Sequence, residues 1–333
     1  MANQRVLVAG AGGFIGHHVV QRLKKDGHWV RGVDSKESRY EDTPADEFEL
    51  LDLRRPDDCL QATREIDQVY NLAGDVGGRG YIGAHPGKIA HNNTLIAINM
   101  LEASRLNGVR RYLYPSSACV YPQSKLNRTH SSPLREEDAF PADPEPGYGW
   151  EKLYAEQLCC YYRCDYGLQT RIVRLTNVYG PRCTYEGGKE RAPAAICRQV
   201  ALLNDGDEIE VWGDGQQSQS FLYIDDCIEG LVGLMASDYP HPLNLGTDQL
   251  VTIDELVDLV SALAGKRLIK RHDLTKPLSV RSRSTDNSRL LEIFKWRPSV
   301  GLEEGLSLTY RWIENELRKA GRISGARFST AAD

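Results

Sequence analysis

The sequence has no apolar run approaching the ~20 residues that a helix needs to cross a bilayer. A membrane-spanning protein is therefore not expected. It also lacks a positive balance. Its 41 Lys and Arg stand against 46 Asp and Glu, a formal charge of -5 with His neutral. That excludes a chain-wide basic field of the kind that holds nucleic acid. Local clusters such as Lys270-Arg271 and Arg281-Ser-Arg283 remain to meet an anionic ligand, although a solvated face is the plainer reading of any such cluster. None of the eight cysteines (Cys59, Cys119, Cys159, Cys160, Cys164, Cys183, Cys197, Cys227) forms a Cys-x-x-Cys pair, and no Cys/His spacing fits a zinc site, so no metal is expected. No signal peptide stands before the first strand-like run, Val6-Leu-Val-Ala-Gly10. The expectation is a reduced, cytoplasmic protein whose thiols are mostly small core residues. Repeats and low-complexity segments are missing too.

What is present suits a globular enzyme. At 333 residues, with 41% hydrophobic and 26% charged, the chain can build one large α/β unit or two modest domains sharing a cleft. Strand-like runs at 5–9, 29–33, 47–51, 68–73, 111–115 and 170–175 alternate with helical periodicity at 17–25, 92–107 and 149–166. This alternation predicts a doubly wound parallel sheet with helices on both faces. After residue 176 the pattern loosens, with loops at Tyr179-Gly-Pro181, Gly187-Gly188 and Gly213-Asp-Gly215, a strand at 221–224, and helices at 225–236, 253–264 and 302–317. Residues 1–175 are expected to form a dinucleotide-binding Rossmann domain. Residues 176–333 are expected to form mainly a smaller α/β substrate-binding domain, with some segments returning to the main sheet. The tail after Arg318 should fray.

Gly10-Ala-Gly12-Gly13-Phe14-Ile15-Gly16 lies between the first strand and the first helix. Glycines there let the backbone turn sharply and approach a pyrophosphate, and the helix start offers unpaired N–H groups. Asp34 ends the second strand about 20 residues on, where an acid binds the ribose hydroxyls. A carboxylate there repels a 2′-phosphate, so NAD is favoured over NADP. Asp52, at the end of the third strand, is placed to meet the adenine amine.

Tyr148-Gly-Trp-Glu-Lys152 puts a phenol and an ammonium on one helical face. The ammonium, with the nicotinamide cation, should lower the phenol pKa, so that Tyr148 can take a proton from a substrate hydroxyl. Ser117 precedes it by about 30 residues, in the order strand, Ser, Tyr, Lys, and would hydrogen-bond the reacting oxygen. Cys119 lies two positions past Ser117. Alone it would read as buried packing, but beside Ser117 it reads as a thiol able to exchange protons on carbon once neighbours lower its pKa.

At these residues the sequence resembles the GDP-mannose 3,5-epimerase family, from Val6 to about Leu317. The likeness is carried by Gly10-Ala-Gly-Gly-Phe-Ile15, Asn71-Leu72-Ala73, Ser116-Ser-Ala-Cys119-Val-Tyr-Pro122, Tyr148-Gly-x-Glu-Lys152, Asn177-Val-Tyr-Gly-Pro181, Ala192-Pro-Ala-Ala195 and Trp212-Gly-Asp-Gly215. The resemblance implies a nucleotide-sugar substrate, NAD as cofactor, and Leu53, Leu72 and Ala73 among the cofactor contacts. It implies that Tyr148 deprotonates the sugar 4-hydroxyl while hydride leaves carbon 4 for NAD. Cys119 then removes protons from carbons 5 and 3, acidified by the 4-ketone. Gly78, Arg79 and Gly80 resemble the family's substrate loop, and Asn177 falls in a matching segment. A pairing through the helices at 92–107 and 149–166 makes a homodimer the expected assembly.

Two positions depart from the family pattern. Its lysine acid is Arg191 here, and Lys189 stands where it has arginine, in Gly187-Gly-Lys189-Glu-Arg191-Ala-Pro193. A guanidinium is a poor proton donor but can stabilise an enolate. Lys189 through a shifted loop, or water, are the other candidate acids. Gln219 replaces an arginine that meets the substrate diphosphate, which leaves Arg281, helped by Arg283, for that task. An epimerase at carbon 5, with or without carbon 3, is the leading expectation. A 4-epimerase or dehydratase sharing the 4-keto stage is the alternative, and a non-catalytic NAD-sensing protein the third.

Overall fold

A computed structural model describes residues 4–126, 132–276 and 280–323. The tail beyond Ile323, expected to fray, lies outside the described residues. In the first half the elements run β1 (Arg5–Ala9), α1 (Phe14–Lys25), β2 (Trp29–Asp34), β3 (Glu47–Leu50), α2 (Pro56–Ala62), β4 (Gln68–Asn71), α3 (Arg79–Ala84), α4 (Pro86–Leu106), β5 (Arg111–Ser117), α5 (Gln123–Leu126), α6 (Tyr148–Tyr166) and β6 (Gln169–Leu175). The second half adds β7 (Val178–Tyr179), α7 (Ala192–Leu202), β8 (Glu208–Trp212), β9 (Ser218–Gln219), β10 (Leu222–Tyr223), α8 (Ile224–Ala236), β11 (Pro242–Leu245), β12 (Val251–Thr252), α9 (Ile253–Leu263), β13 (Ile269–Asp273), β14 (Ser282–Arg283), α10 (Ser288–Phe294) and α11 (Leu302–Lys319).

Seven strands form one parallel sheet in the order β11-β6-β5-β4-β1-β2-β3. β1 is apolar on both faces because both are covered: Val6 and Val8 pack into the core beside α1 and α8, and Leu7 and Ala9 into the core beside α4 and α6. The strand order reverses between β1 and β4, which leaves a crevice at their carboxyl ends. Within the second half, β11 returns to the main sheet and pairs with β6, while β12, β9 and β14 form a small sheet of their own. Helix α4 starts at Pro86, earlier than the apolar periodicity from residue 92 suggests, because proline suits the first helical position. Helix α6 closes on Gly167 in the left-handed conformation. Among the described residues no helix is long and apolar enough to cross a membrane.

Candidate active site

A cavity of about 870 Å³ follows the carboxyl ends of β1, β2, β4, β5 and β6 and is closed on its far side by residues of the second half. Its first wall is the glycine turn. Gly16 is required by close approach: a Cβ there would lie 2.0 Å from the Gly10 carbonyl oxygen. Gly10, Gly13, Phe14, Ile15, Gly16, Asp34, Asp52, Leu53, Leu72 and Ala73 all line this part. Gly12 lies behind the lining and donates its N–H to Asp34 Oδ2 at 3.1 Å. Burial pushes the Asp34 carboxyl up, against Lys36 and the N–H groups that favour its charge. Asp52 is clasped by Arg54 through contacts of 2.8 and 2.7 Å, which holds its carboxyl below the usual range. A helix start with exposed N–H groups, a cradle that a methyl group would fill, and an acid beyond it fit a dinucleotide.

The opposite wall carries Ser117, Cys119, Tyr148 and Lys152. Ser117, at the end of β5, accepts the Cys119 N–H at 3.2 Å, and its hydroxyl favours the ionised Tyr148 phenol. Cys119 and Tyr148 share an apolar nest with Ile82 and Ile89. Lys152 donates to the Pro115 carbonyl at 3.0 Å, with its ammonium 5.6 Å from the centre of the Tyr148 ring. The expected lowering of the Tyr148 pKa by Lys152 and the nicotinamide cation has burial to overcome. Burial pushes this phenol up, Cys119 and Glu151 add to the rise, and the opposing groups are Arg191 and Ser117. The Cys119 thiol is also raised. Burial is the largest cause, with Arg283 pulling it down and Glu145 pushing it up.

The substrate-side residues meet at a junction of loops. Gly78 donates its N–H to the Lys189 carbonyl at 3.0 Å, which docks the 77–80 loop against the 187–191 loop. Gly78, Arg79, Gly80, Asn177, Lys189, Arg191 and Gln219 all line the cavity. Lys189 is committed elsewhere: its ammonium meets Asp75 Oδ1 at 2.8 Å and sits 4.1 Å over the Tyr81 ring. The Arg191 guanidinium has no hydrogen bond or ion pair among the described residues, so it is available to a ligand. Asn177, at φ +40°, donates to Gln219 Oε1 at 2.9 Å and accepts from Arg283 at 3.0 Å. The expected role of Arg281 is corrected. It lies ahead of β14, outside the cavity lining, and its guanidinium is held by Asp214 at 2.7 Å, whereas Arg283 lines the cavity. Lys270 and Arg271 are taken up by Asp258 and Glu210. Sequence reasoning passed over Glu145, which lines the cavity, pairs with Arg79 and touches Cys119. Nothing in a single sequence marks an acid three positions before a tyrosine.

An open parallel sheet with a glycine turn at its switch point, facing a Ser–Tyr–Lys set across one cavity, defines a dinucleotide-dependent α/β enzyme. Residues 6–246 match the NAD dependent epimerase/dehydratase family, and the chain belongs to it. It is an NAD-dependent enzyme. The GDP-mannose 3,5-epimerase of Arabidopsis thaliana is 44% identical over 319 residues, 95% of this chain and 84% of that protein. The UDP-glucose 4-epimerase of Thermotoga maritima, solved with UDP-glucose, superposes with a TM-score of 0.84 at 25% identity, covering 94% of this chain and 99% of that one. The Thermus thermophilus UDP-glucose 4-epimerase, solved with NAD, gives a TM-score of 0.83 at 26% identity, covering 93% and 98%.

Proposed function

We propose that this protein epimerises a GDP-hexose, GDP-mannose or a close relative, at carbon 5, with carbon 3 as the second centre, through a transient 4-ketone. The observation that carries this reading is Cys119, held against the Ser117 hydroxyl by its N–H and sharing one apolar nest with Tyr148 on the cavity wall. Gly10, Gly12, Gly13, Phe14, Ile15, Gly16, Asp34, Asp52, Leu53, Leu72 and Ala73 would hold NAD, which supplies a reversible hydride acceptor when bound. Tyr148 takes the proton of the 4-hydroxyl, and Ser117 holds that oxygen. The resulting ketone acidifies the neighbouring C–H bonds. Cys119, as thiolate, removes the proton, and Arg283 at 3.5 Å from its sulfur supports the charge. Arg191 stabilises the enolate electrostatically. Gln219 and Asn177 position Arg283, and Arg79 fixes the substrate loop.

A second reading, a 4-epimerase that returns hydride without touching carbon 5, is favoured by one feature. Arg191 has no dissociable proton at working pH, so the opposite-face donor that inversion at carbon 5 needs is not supplied by that residue. A sensing protein without turnover fits less well with a complete Ser117, Tyr148 and Lys152 set. The deciding experiment incubates the purified protein with GDP-mannose in heavy water and reads product stereochemistry and isotope position by NMR. Deuterium at carbon 5 supports the first reading. Product inverted at carbon 4 and free of deuterium at carbon 5 supports the second. Cys119→Ser is the control, expected to keep NAD and to lose the exchange.

We also infer a homodimer through α4 and α6, which pack on each other. Trp150, Tyr154 and Tyr161 project from α6 at helical spacing, each at least half exposed, and Leu106 ends α4 in the same state. Sedimentation of Tyr161→Glu as a monomer, beside a dimeric parent, would support this assembly. The eight cysteines are all free thiols, in keeping with a cytoplasmic location.

A further inference from the structure

The mechanism above uses Cys119 as a base, and a base buried as a thiol must first lose its proton. Its surroundings name the acceptor. Glu145 lies on the loop that enters α6, and its N–H donates to the Cys119 carbonyl at 3.0 Å. Its carboxylate acts electrostatically on the thiol and forms an ion pair with Arg79. The side chain is nine-tenths buried, yet it lines the cavity. This close packing is built in. Gly149, the second residue of α6, has no side chain where a Cβ would come within 2.3 Å of the Cys119 carbonyl oxygen and 3.1 Å of the Glu145 Cβ.

The groups that face the sulfur divide by charge. From β14 comes the Arg283 guanidinium, 3.5 Å away. From the loop before α6 comes Glu145, and behind it Arg79 from α3. From β5 comes the Ser117 hydroxyl, and from α6 the Tyr148 phenol. Among these, Glu145 is the carboxylate, tied by its backbone N–H to the Cys119 carbonyl, and it is the group able to accept a proton from the thiol. Lys189 and Asp75 are paired with each other.

We propose that Glu145 is a proton relay for Cys119 and that Arg79 is its positioning residue; this rests on the epimerase reading above. The thiol S–H bond breaks and an O–H bond forms on Glu145, leaving a thiolate beside Arg283. The thiolate then takes the proton on the carbon next to the ketone. The C–H electron pair stays as an enolate, an S–H bond re-forms, and water on the opposite face returns a proton to that carbon, its hydroxide neutralised by the proton that Glu145 releases. Glu145 passes its proton to water at the cavity mouth, and the side of Arg79, the more exposed partner, is the exit. No electron is transferred. The carboxylate can then accept the next thiol proton, so one cysteine can act twice on one bound sugar without product release. This is the requirement that inversion at two carbons imposes.

The test compares the parent, Glu145→Gln and Glu145→Asp, each with GDP-mannose in heavy water. Two rates are read on the same sample: the rise in absorbance of reduced cofactor and the entry of deuterium at carbon 5. Their ratio is independent of the fraction of folded protein, so a partly misfolded variant still reports. The expected result is a ratio lower by about 100-fold in Glu145→Gln, as for loss of a general acid–base group, and within about 10-fold of the parent in Glu145→Asp. A ratio in Glu145→Gln equal to the parent's, whether both rates hold or both fall together, overturns the relay. So does a Glu145→Asp ratio as low as that of Gln. A parent that reduces its cofactor yet exchanges no deuterium refutes the epimerase reading itself, which separates the two failures.

Discussion

Arg283 directs its guanidinium at the sulfur of Cys119, 3.5 Å away, while Asn177 Oδ1 grips the same guanidinium at 3.0 Å. The cation is aimed rather than swinging, and one of its nitrogens, Nε, is buried without a partner. Burial raises the Cys119 pKa and Arg283 lowers it. Removing the cation takes away the lowering influence, so the thiolate should form only at higher pH. Arg283→Met is therefore expected to shift the pH profile of Cys119 alkylation by iodoacetamide toward the alkaline side. The rate is followed by mass spectrometry on the Cys119 peptide, which distinguishes it from the exposed Cys164. Superimposable profiles would remove Arg283 from the account of the thiol.

Gly16 offers a test of the cofactor cradle that does not depend on the sugar. A methyl group at this position meets the Gly10 carbonyl oxygen at 2.0 Å, and that contact involves backbone rather than a flexible side chain. Gly16→Ala should push the turn away from the helix start and weaken NAD binding by at least about 10-fold, the result of losing roughly 1.4 kcal/mol of contact. Titration of the apoprotein with NAD, followed by tyrosine and tryptophan fluorescence, gives the affinity. Binding as tight as the parent's would place the dinucleotide elsewhere.

The glycine turn, Asp34 and the Tyr148–Lys152 spacing were legible because each is a local pattern read from backbone geometry: a sharp turn, a strand end, one helical face. The sheet followed from alternating strands and helices. What escaped was set by partners distant in sequence. Arg281 and Arg283 are near neighbours with different fates, because Asp214 takes the first and Asn177 the second. Glu145 gained its place from Arg79, 66 positions earlier. The Tyr148–Lys152 spacing reveals the nearby ammonium but not the burial that pushes the phenol up.

Beneath the site, Arg174 and Glu156 form a buried ion pair, with Nη2 to Oε2 at 2.7 Å and Nε to Oε1 at 2.9 Å, and Ser116 adds its hydroxyl to the same carboxylate. Breaking such a pair leaves an uncompensated charge in the interior and costs about 3–5 kcal/mol. Glu156→Gln should lower unfolding stability by that order, seen as a lower midpoint in urea at an unchanged slope. Because Ser116 adjoins Ser117, activity should fall as well. A midpoint within experimental error of the parent's would show that the pair has a neutral substitute nearby.

The most informative substitution concerns Arg191. It lines the cavity, its guanidinium without a partner among the described residues, close enough for its charge to favour the ionised Tyr148. A guanidinium at this place can stabilise an enolate but cannot return a proton to carbon. Two variants separate these capacities. Arg191→Met removes the charge and should slow deuterium entry at carbon 5 by about 10²-fold, the usual loss for one electrostatic donor. Arg191→Lys keeps a charge and adds a dissociable proton. It is expected to raise the share of inverted over merely exchanged sugar, because a donor on the far face converts exchange with retention into inversion. NMR of the recovered sugar gives both quantities at once. If lysine leaves the ratio of inverted to exchanged product where arginine had it, the far-face proton comes from water or another side chain, and Arg191 serves the enolate alone.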